Sequence, residues 1–356
     1  MYSRNETRKI LVRGVPIGAG STITVQSMTN TRTSDVGATL NQIRELVSAG
    51  CEIVRLAVPN RKAASALSEI RSEVDVPLVA DIHFDHRLAL SALEAGIDKL
   101  RINPGNIGSD EKIREVAAAA AERNVPIRIG VNAGSLKENL LERYGGPTAE
   151  ALVESALEEV DLLDDIGFHD VCVSMKSSNV PVMINAYRMF AEQRDNPLHV
   201  GVTEAGTKHY GAIKSSVGIG AVLSGGIGDT IRVSLTSDPV EEIRAGMNIL
   251  KALELRKAGP EIVSCPTCGR TDIDIIGLAE EVERRAGSLT QPLVIAVMGC
   301  VVNGPGEAKV ADYGIAGGKD SGLLFRHGEI VGKVKESELV DRLFSLIEED
   351  GHGEKD

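Results

Sequence analysis

The sequence predicts an α/β architecture: a (β/α)8 TIM barrel over residues 1–258, a second, smaller α/β domain over 259–346, and a polar tail from 347 to 356. Three observations predict it. Short β-rich runs alternate eight times with segments of helical spacing through the first 240 residues, which is the count of a (β/α)8 barrel. Gly259-Pro260 interrupts the chain after the last of these helices. A length of 356 residues fits a barrel of about 250 plus a domain of about 100.

In order, strands are expected at 23–28 (ITVQSM), 52–58 (EIVRLAV), 77–82 (PLVADI), 99–103 (KLRIN), 127–131 (IRIGV), 171–176 (VCVSMK), 198–203 (LHVGVT) and 231–235 (IRVSL). The segments between them, such as ATLNQIRELVSAG, RLALSALEAG and EKIREVAAAAAERN, carry helical spacing and end in Gly or Asn, as helix C-termini commonly do. DPVEEIRAGMNILKALELR supplies the closing helix. An open doubly wound sheet is the competing architecture. Past Gly259-Pro260 the pattern changes to CPTCGRTDIDIIGLAEEVERRAG, PLVIAVMGCVVNGPGEA, a glycine-rich AGGKDSGLLFRHGEIVGKV and a charged helix.

Parity within the strands carries the chemistry, because side chains at i and i+2 share a face. Lys99, Arg101 and Asn103 fall together, as do Arg128, Gly130 and Asn132, Ser174 and Lys176, and Arg232 and Ser234; Arg55 sits inside the second strand. The opposite parity is mostly Ile, Leu and Val, suited to the layer beneath the helices, so the polar face is expected to point into the barrel. A buried unpaired cation costs several kcal/mol. Internal carboxylates such as Asp81 or Glu204 account for one or two of these cations. A polyanionic ligand at the C-terminal mouth accounts for all of them, because guanidinium forks match phosphate oxygens and barrel sites lie at that mouth. His83 and His199 lie at strand ends, and Glu204 follows the seventh strand, placed either to move protons or to pair with an arginine. The glycine runs match no dinucleotide or P-loop fingerprint.

The formal net charge of −12 disfavours nucleic acid and anionic membrane as partners. No apolar run approaches the roughly 18–20 residues of a membrane helix, and the opening MYSRNETRKILVRG lacks the apolar centre of a signal peptide. A cytoplasmic chain is expected. Aromatic residues are 3% and Trp is absent, too few for base-stacking platforms.

Of the five cysteines, Cys51 and Cys172 lie in apolar strand contexts and read as core thiols. Cys265 and Cys268 form a C-x-x-C turn, and Cys300 follows in a second strand-to-loop segment. Soft thiolates in this arrangement suit zinc or an iron–sulfur cluster. Three thiolates leave a four-iron cluster one ligand short, and Glu307, on a Gly-Pro-Gly loop, is the nearby candidate. As a harder ligand it exchanges more easily, leaving an iron open to a substrate oxygen. The competing reading is a structural zinc site, although no His adjoins these motifs.

VQSMTNTRTSDV, VPLVADIHFD, LRINPGNIG, PIRIGVNAGSL, TEAG, GIGDTIRVSL, CPTCGR and GCVVNGPGEA, in this order from about residue 8 to 345, resemble the bacterial two-domain form of the 4-hydroxy-3-methylbut-2-enyl diphosphate synthase family. The resemblance implies a barrel joined to an iron–sulfur cluster domain. It implies reductive ring opening of 2-C-methyl-D-erythritol 2,4-cyclodiphosphate to the linear allylic diphosphate, in the non-mevalonate isoprenoid pathway. It assigns a [4Fe-4S] cluster to Cys265, Cys268, Cys300 and Glu307. It assigns the diphosphate to Arg55, Arg101, Arg128, Lys176, Arg232 and Ser234, assisted by Asn103 and Asn132, with Asn303 between cluster and substrate. Glu204 becomes the acid–base residue, with His199 close by. A separate electron donor, flavodoxin or ferredoxin, is implied, as is a homodimer in which one subunit's cluster domain caps the partner's barrel. A pterin-binding or methyl-transferring barrel leaves the cysteines unexplained, and an iron–sulfur sensor leaves the strand arginines unexplained.

Overall fold

A computed structural model of the chain describes residues 4–257, 259–271, 273–289, 291–300, 310–318 and 321–353. It divides into two compact units, Met1–Arg256 and Lys257–Asp356.

The first unit opens with an antiparallel hairpin not expected from the sequence, β1 (Ile10–Val12) and β2 (Val15–Ile17). Its turn runs through Arg13 and Gly14 at φ 47° and 81°, the two positive angles that a type I′ connection requires. Eight parallel strands follow: β3 (Thr24–Met28), β4 (Ile53–Ala57), β5 (Leu78–Asp81), β6 (Lys99–Ile102), β7 (Ile127–Asn132), β8 (Val171–Lys176), β9 (His199–Val200) and β10 (Thr230–Ile231). The ladder runs β8-β7-β6-β5-β4-β3-β10-β9, and a parallel bridge between Val173 and Leu198 joins its ends into a barrel. The last two strands are shorter than expected. Arg232 N–H still reaches Val200 O at 2.9 Å, but the backbone then bends, with Glu204 at φ 50°.

Eight helices cover the barrel: α1 (Val36–Ser48), α2 (Arg61–Ser72), α3 (His86–Glu94), α4 (Asp110–Glu122), α5 (Ala149–Asp164), α6 (Val180–Ala191), α7 (Lys208–Ser224) and α8 (Pro239–Ala252). Asp35, Asn60, Asp85, Thr148, Asn179 and Asp238 each accept a backbone N–H from the first turn they precede, contributing about 1 kcal/mol per cap. The apolar parity faces outward as expected: Val54, Leu56, Leu78, Ala80, Leu100, Ile102, Ile127 and Ile129 are buried in the helix-packed core.

The inward parity divides by depth. At the N-terminal end, Ile53, Val79 and Cys172 pack against Ile10, Val12 and Ile17 of the hairpin, which closes that end of the barrel. Two residues further along the same strands lie Arg55, Asp81 and Ser174, at the level of a cavity. The hairpin supplies an apolar floor beneath a polar chamber.

The second unit is a five-stranded sheet in sequential order, β11 (Glu261–Ser264), β12 (Val294–Met298), β13 (Tyr313–Gly318), β14 (Ser321–Arg326) and β15 (Glu329–Val334). The first three strands are parallel and the last two antiparallel. Helices α9 (Ile275–Ala286) and α10 (Leu339–Gly353) bury Val282, Leu343 and Phe344 against Ile295, Val297 and Ile315. Among the described residues, no helix is long and apolar enough to cross a membrane.

Candidate active site

Eleven residues line a cavity of about 180 Å³ at the C-terminal ends of the barrel strands: Arg55, Asp81, His83, Arg101, Arg128, Asn132, Ser174, Lys176, Thr203, Arg232 and Ser234. Seven of them belong to the set expected to bind the diphosphate. Five are cationic, and Asp81 is the one carboxylate among them.

The cations are held differently. Asp81 accepts Arg101 Nη1 at 3.0 Å and lies 3.8 Å from Arg55 Nε. Burial raises its pKa, but the two guanidiniums outweigh burial and bring it down to about 2. Arg55 Nε also donates to Met28 Sδ at 3.0 Å, and Arg101 Nη2 reaches Gly130 O at 3.4 Å. A Cβ on Gly130 would stand 2.6 Å from Arg101 Nε, so a glycine there leaves the fork its place. Arg232 is clamped from behind by Glu242, Nε to Oε2 at 3.3 Å.

Arg128 stands apart. It is 1% exposed, and none of its three guanidine nitrogens has a hydrogen-bond partner. Burial first, and Arg101 next, lower its pKa to about 10. Lys176 is driven well below its ordinary value by burial and then by Arg128, Arg55, Arg232 and Arg101. A polyanion placed here would offset these repulsions and supply the missing acceptors.

Other expected residues lie off the lining. Asn103 is buried and donates to Ser135 Oγ at 3.3 Å. The structure does not bring His199 to the cavity: it is fully buried within β9 and neither ring nitrogen has a partner. Burial, then Arg128 and Lys176, hold its pKa well below the usual range, so its imidazole is neutral. Glu204 is exposed and left-handed at φ 50°, a conformation uncommon for a non-glycine residue. Lys99 is enclosed at 1% exposure beside the Cys172 thiol. Thr203 was not expected in the lining; its parity with His199 and Gly201 was the available signal. Glu242 was also missed, although it falls in the buried register Pro239, Glu242, Ile243, Gly246 of α8.

Cys265 and Cys300 stand at the C-terminal ends of neighbouring strands. Ser264 pairs with Val297, so Cys265 leaves β11 beside the point where Gly299 and Cys300 leave β12. Gly299 N–H donates to Cys265 Sγ at 3.1 Å, and a Cβ on Gly299 would meet Thr271 Cγ2 at 3.0 Å and Cys265 Sγ at 3.5 Å. Cys268 is exposed, and the Arg270 backbone N–H followed by the Thr271 hydroxyl lower its pKa. Cys51 and Cys172 are buried, and burial raises both, Cys51 to about 12. Three accessible thiols, one accepting a backbone N–H and one favoured as thiolate, fit a soft metal centre such as an iron–sulfur cluster. Among the described residues no group of three or more His, Cys, Asp or Glu is gathered closely enough to hold a metal ion. Asn303 and Glu307 lie outside the described residues.

A barrel with a cation-lined mouth suits an anionic ligand, and a small domain with accessible thiols suits a soft metal centre; together they fit the class of metal-dependent oxidoreductases. Comparison with known proteins carries this further. The model of the GcpE TIM-barrel domain matches residues 7–247, and that of the GcpE protein C-terminal domain matches 261–349. A 4-hydroxy-3-methylbut-2-en-1-yl diphosphate synthase (flavodoxin) of Geobacter sulfurreducens is 59% identical over 343 residues, covering 96% of this chain and 97% of its own. One of Clostridium perfringens is 58% identical over 346 residues, covering 97% and 99%. The chain belongs to the GcpE family of 4-hydroxy-3-methylbut-2-en-1-yl diphosphate synthases. Among solved structures, the dihydropteroate synthase of Stenotrophomonas maltophilia superposes with a TM-score of 0.52 at 13% identity, covering 70% of this chain and 98% of its own. That of Xanthomonas albilineans gives 0.51 at 14%, covering 69% and 98%. At such identity the likeness is one of barrel fold alone.

Proposed function

We propose that the chain reductively opens 2-C-methyl-D-erythritol 2,4-cyclodiphosphate to (E)-4-hydroxy-3-methylbut-2-enyl diphosphate in the cytoplasm, drawing electrons from flavodoxin or ferredoxin. The observation that carries this reading is Arg128: a buried guanidinium with no acceptor, lining a cavity together with four further cations. A diphosphate supplies both the acceptors and the negative charge.

In this reading Arg55, Arg101, Arg128, Lys176 and Arg232 hold the diphosphate, and Asn132 and Ser234 fix its orientation with neutral hydrogen bonds. Asn103 stands behind this shell through Ser135, and the family resemblance assigns Asn303 a role between cluster and substrate. Cys265, Cys268, Cys300 and Glu307 hold a [4Fe-4S] cluster, which when bound supplies two electrons one at a time. Breaking the ring carbon–oxygen bond places negative charge on a phosphate oxygen, and the guanidiniums stabilise that charge as it develops. The second oxygen leaves as water and requires a proton, which Glu204 delivers from the solvent-facing rim. His199, buried on the inward face of its strand, stands beneath this shell. The protein works as a homodimer, each cluster domain serving the partner's barrel.

The test is anaerobic turnover of the cyclodiphosphate by the reconstituted protein with reduced viologen, the product identified by mass. Linear diphosphate in stoichiometric amount is expected. Cluster absorbance without turnover would reject the substrate, and zinc at the cysteines after anaerobic purification would reject the redox chemistry.

A further inference from the structure

Glu242 is 4% exposed and lies on α8, the helix that follows the last barrel strand. Its carboxylate is surrounded by donors. Oε2 accepts the Ser27 hydroxyl at 2.7 Å and Arg232 Nε and Nη2 each at 3.3 Å. Oε1 accepts Leu235 N–H at 3.0 Å and Arg232 Nη2 at 3.4 Å. Ser27 belongs to the first barrel strand, and Arg232 and Leu235 to the extension of the last. One buried side chain therefore ties the first and last barrel strands to the helix behind them.

The clamp takes Arg232 from one side only. Nε and Nη2 are engaged and Nη1 has no hydrogen bond among the described residues, while Arg232 itself lines the cavity. We propose that Glu242 is a positioning residue: it locks the guanidinium so that its unused edge faces the anionic ligand. This rests on the reading of the cavity as the diphosphate site. Only a carboxylate fits, because every neighbouring group donates. An amide would turn its own NH2 toward Leu235 N–H or toward the Arg232 fork, leaving donors opposed. The main alternative is that Glu242 merely fastens the seam of the barrel, with Arg232 incidental.

A double-mutant cycle on the cluster-loaded enzyme separates the two. Glu242→Gln, Arg232→Gln and the pair are compared by calorimetric titration with inorganic diphosphate and by kcat/KM on the cyclodiphosphate. Glu242→Gln alone is expected to weaken both by about tenfold to hundredfold, as small misplacements of binding groups do. With Arg232 already replaced, it is expected to change neither by more than about twofold, the scatter between independent sites. Glu242→Asp, which keeps the charge and both acceptors one methylene short, is expected to recover part of the loss; it takes the place of Gln in the cycle if that variant does not fold. Losses that multiply in the double variant overturn the positioning role. If the wild type binds and turns over substrate while the losses multiply, only this inference falls. If the wild type neither binds diphosphate nor turns over the cyclodiphosphate, the reading of the cavity falls and takes the inference with it.

Discussion

Replacing Arg128 by Met is expected to strengthen the fold and disable the enzyme at once. Held at about 10, well below the ordinary arginine value, by burial and by Arg101, the charged guanidinium costs the ligand-free fold about 3 kcal/mol at neutral pH. The sign follows from the direction. A base lowered in the folded state penalises folding wherever it is charged in both states, below about pH 10, and the penalty fades only as pH rises from there toward the ordinary arginine value. Met fills a similar length without a charge. At about 2–4 °C per kcal/mol for a domain of this size, the melting temperature should rise by about 6–12 °C. Two charge-assisted bonds to a phosphate, at about 1.5–3 kcal/mol each, are lost from the transition state, so kcat/KM should fall by about 10²- to 10⁴-fold. Calorimetry without substrate and anaerobic turnover measure the two halves. A variant that melts below the wild type and keeps its KM would show that Arg128 serves the fold through an internal partner, and the ligand argument would be wrong.

Gly130→Ala sets a methyl 2.6 Å from Arg101 Nε, so KM for the cyclodiphosphate should rise at least tenfold with a stability loss of about 1–3 kcal/mol; an unchanged KM would show that Arg101 yields freely. Asp81→Asn should destabilise the protein by about 2 kcal/mol at neutral pH, because Arg55 and Arg101 hold Asp81 at about 2 despite its burial. That difference is full above the ordinary carboxylate value of 3.8 and is lost as pH falls toward about 2, so wild-type and variant denaturation midpoints should converge between about pH 4 and pH 2.5; a constant gap contradicts the pairing. Cys265→Ser and Cys300→Ser should each abolish the visible cluster absorbance and bound iron while leaving the barrel's far-ultraviolet signal intact, whereas Cys51→Ala should retain the iron.

The barrel was legible in the sequence because two periodicities coincide: strand and helix alternate, and within each strand basic and apolar residues take opposite parity. Val54 and Leu56 outward against Ile53 and Arg55 inward is the pattern in miniature. The hairpin escaped because three-residue strands are too short to show alternation, although Arg13-Gly14 carries the left-handed demand of its turn. The partner of Arg232 escaped for another reason. Asp81 and Glu204 are the carboxylates that the strands and their ends offer as internal partners, whereas Glu242 comes from a helix and is recognisable only as an acid in an apolar register. Glu204 is instead exposed past the end of β9, and His199 is enclosed because it opens that strand: it pairs with Thr230, two residues before Arg232, so its inward side chain stands a layer beneath the cavity.

The apolar hairpin beneath the chamber makes the barrel a cup rather than a pipe. A vessel stoppered at its base by Ile10, Val12 and Ile17 admits substrate and releases product through the same rim. Traffic through that rim must therefore alternate. Trimming the first twenty residues, an innocuous edit by sequence position, would drill a drain under five crowded cations. Water entering from below would quench their repulsion and, with it, much of their appetite for the anion.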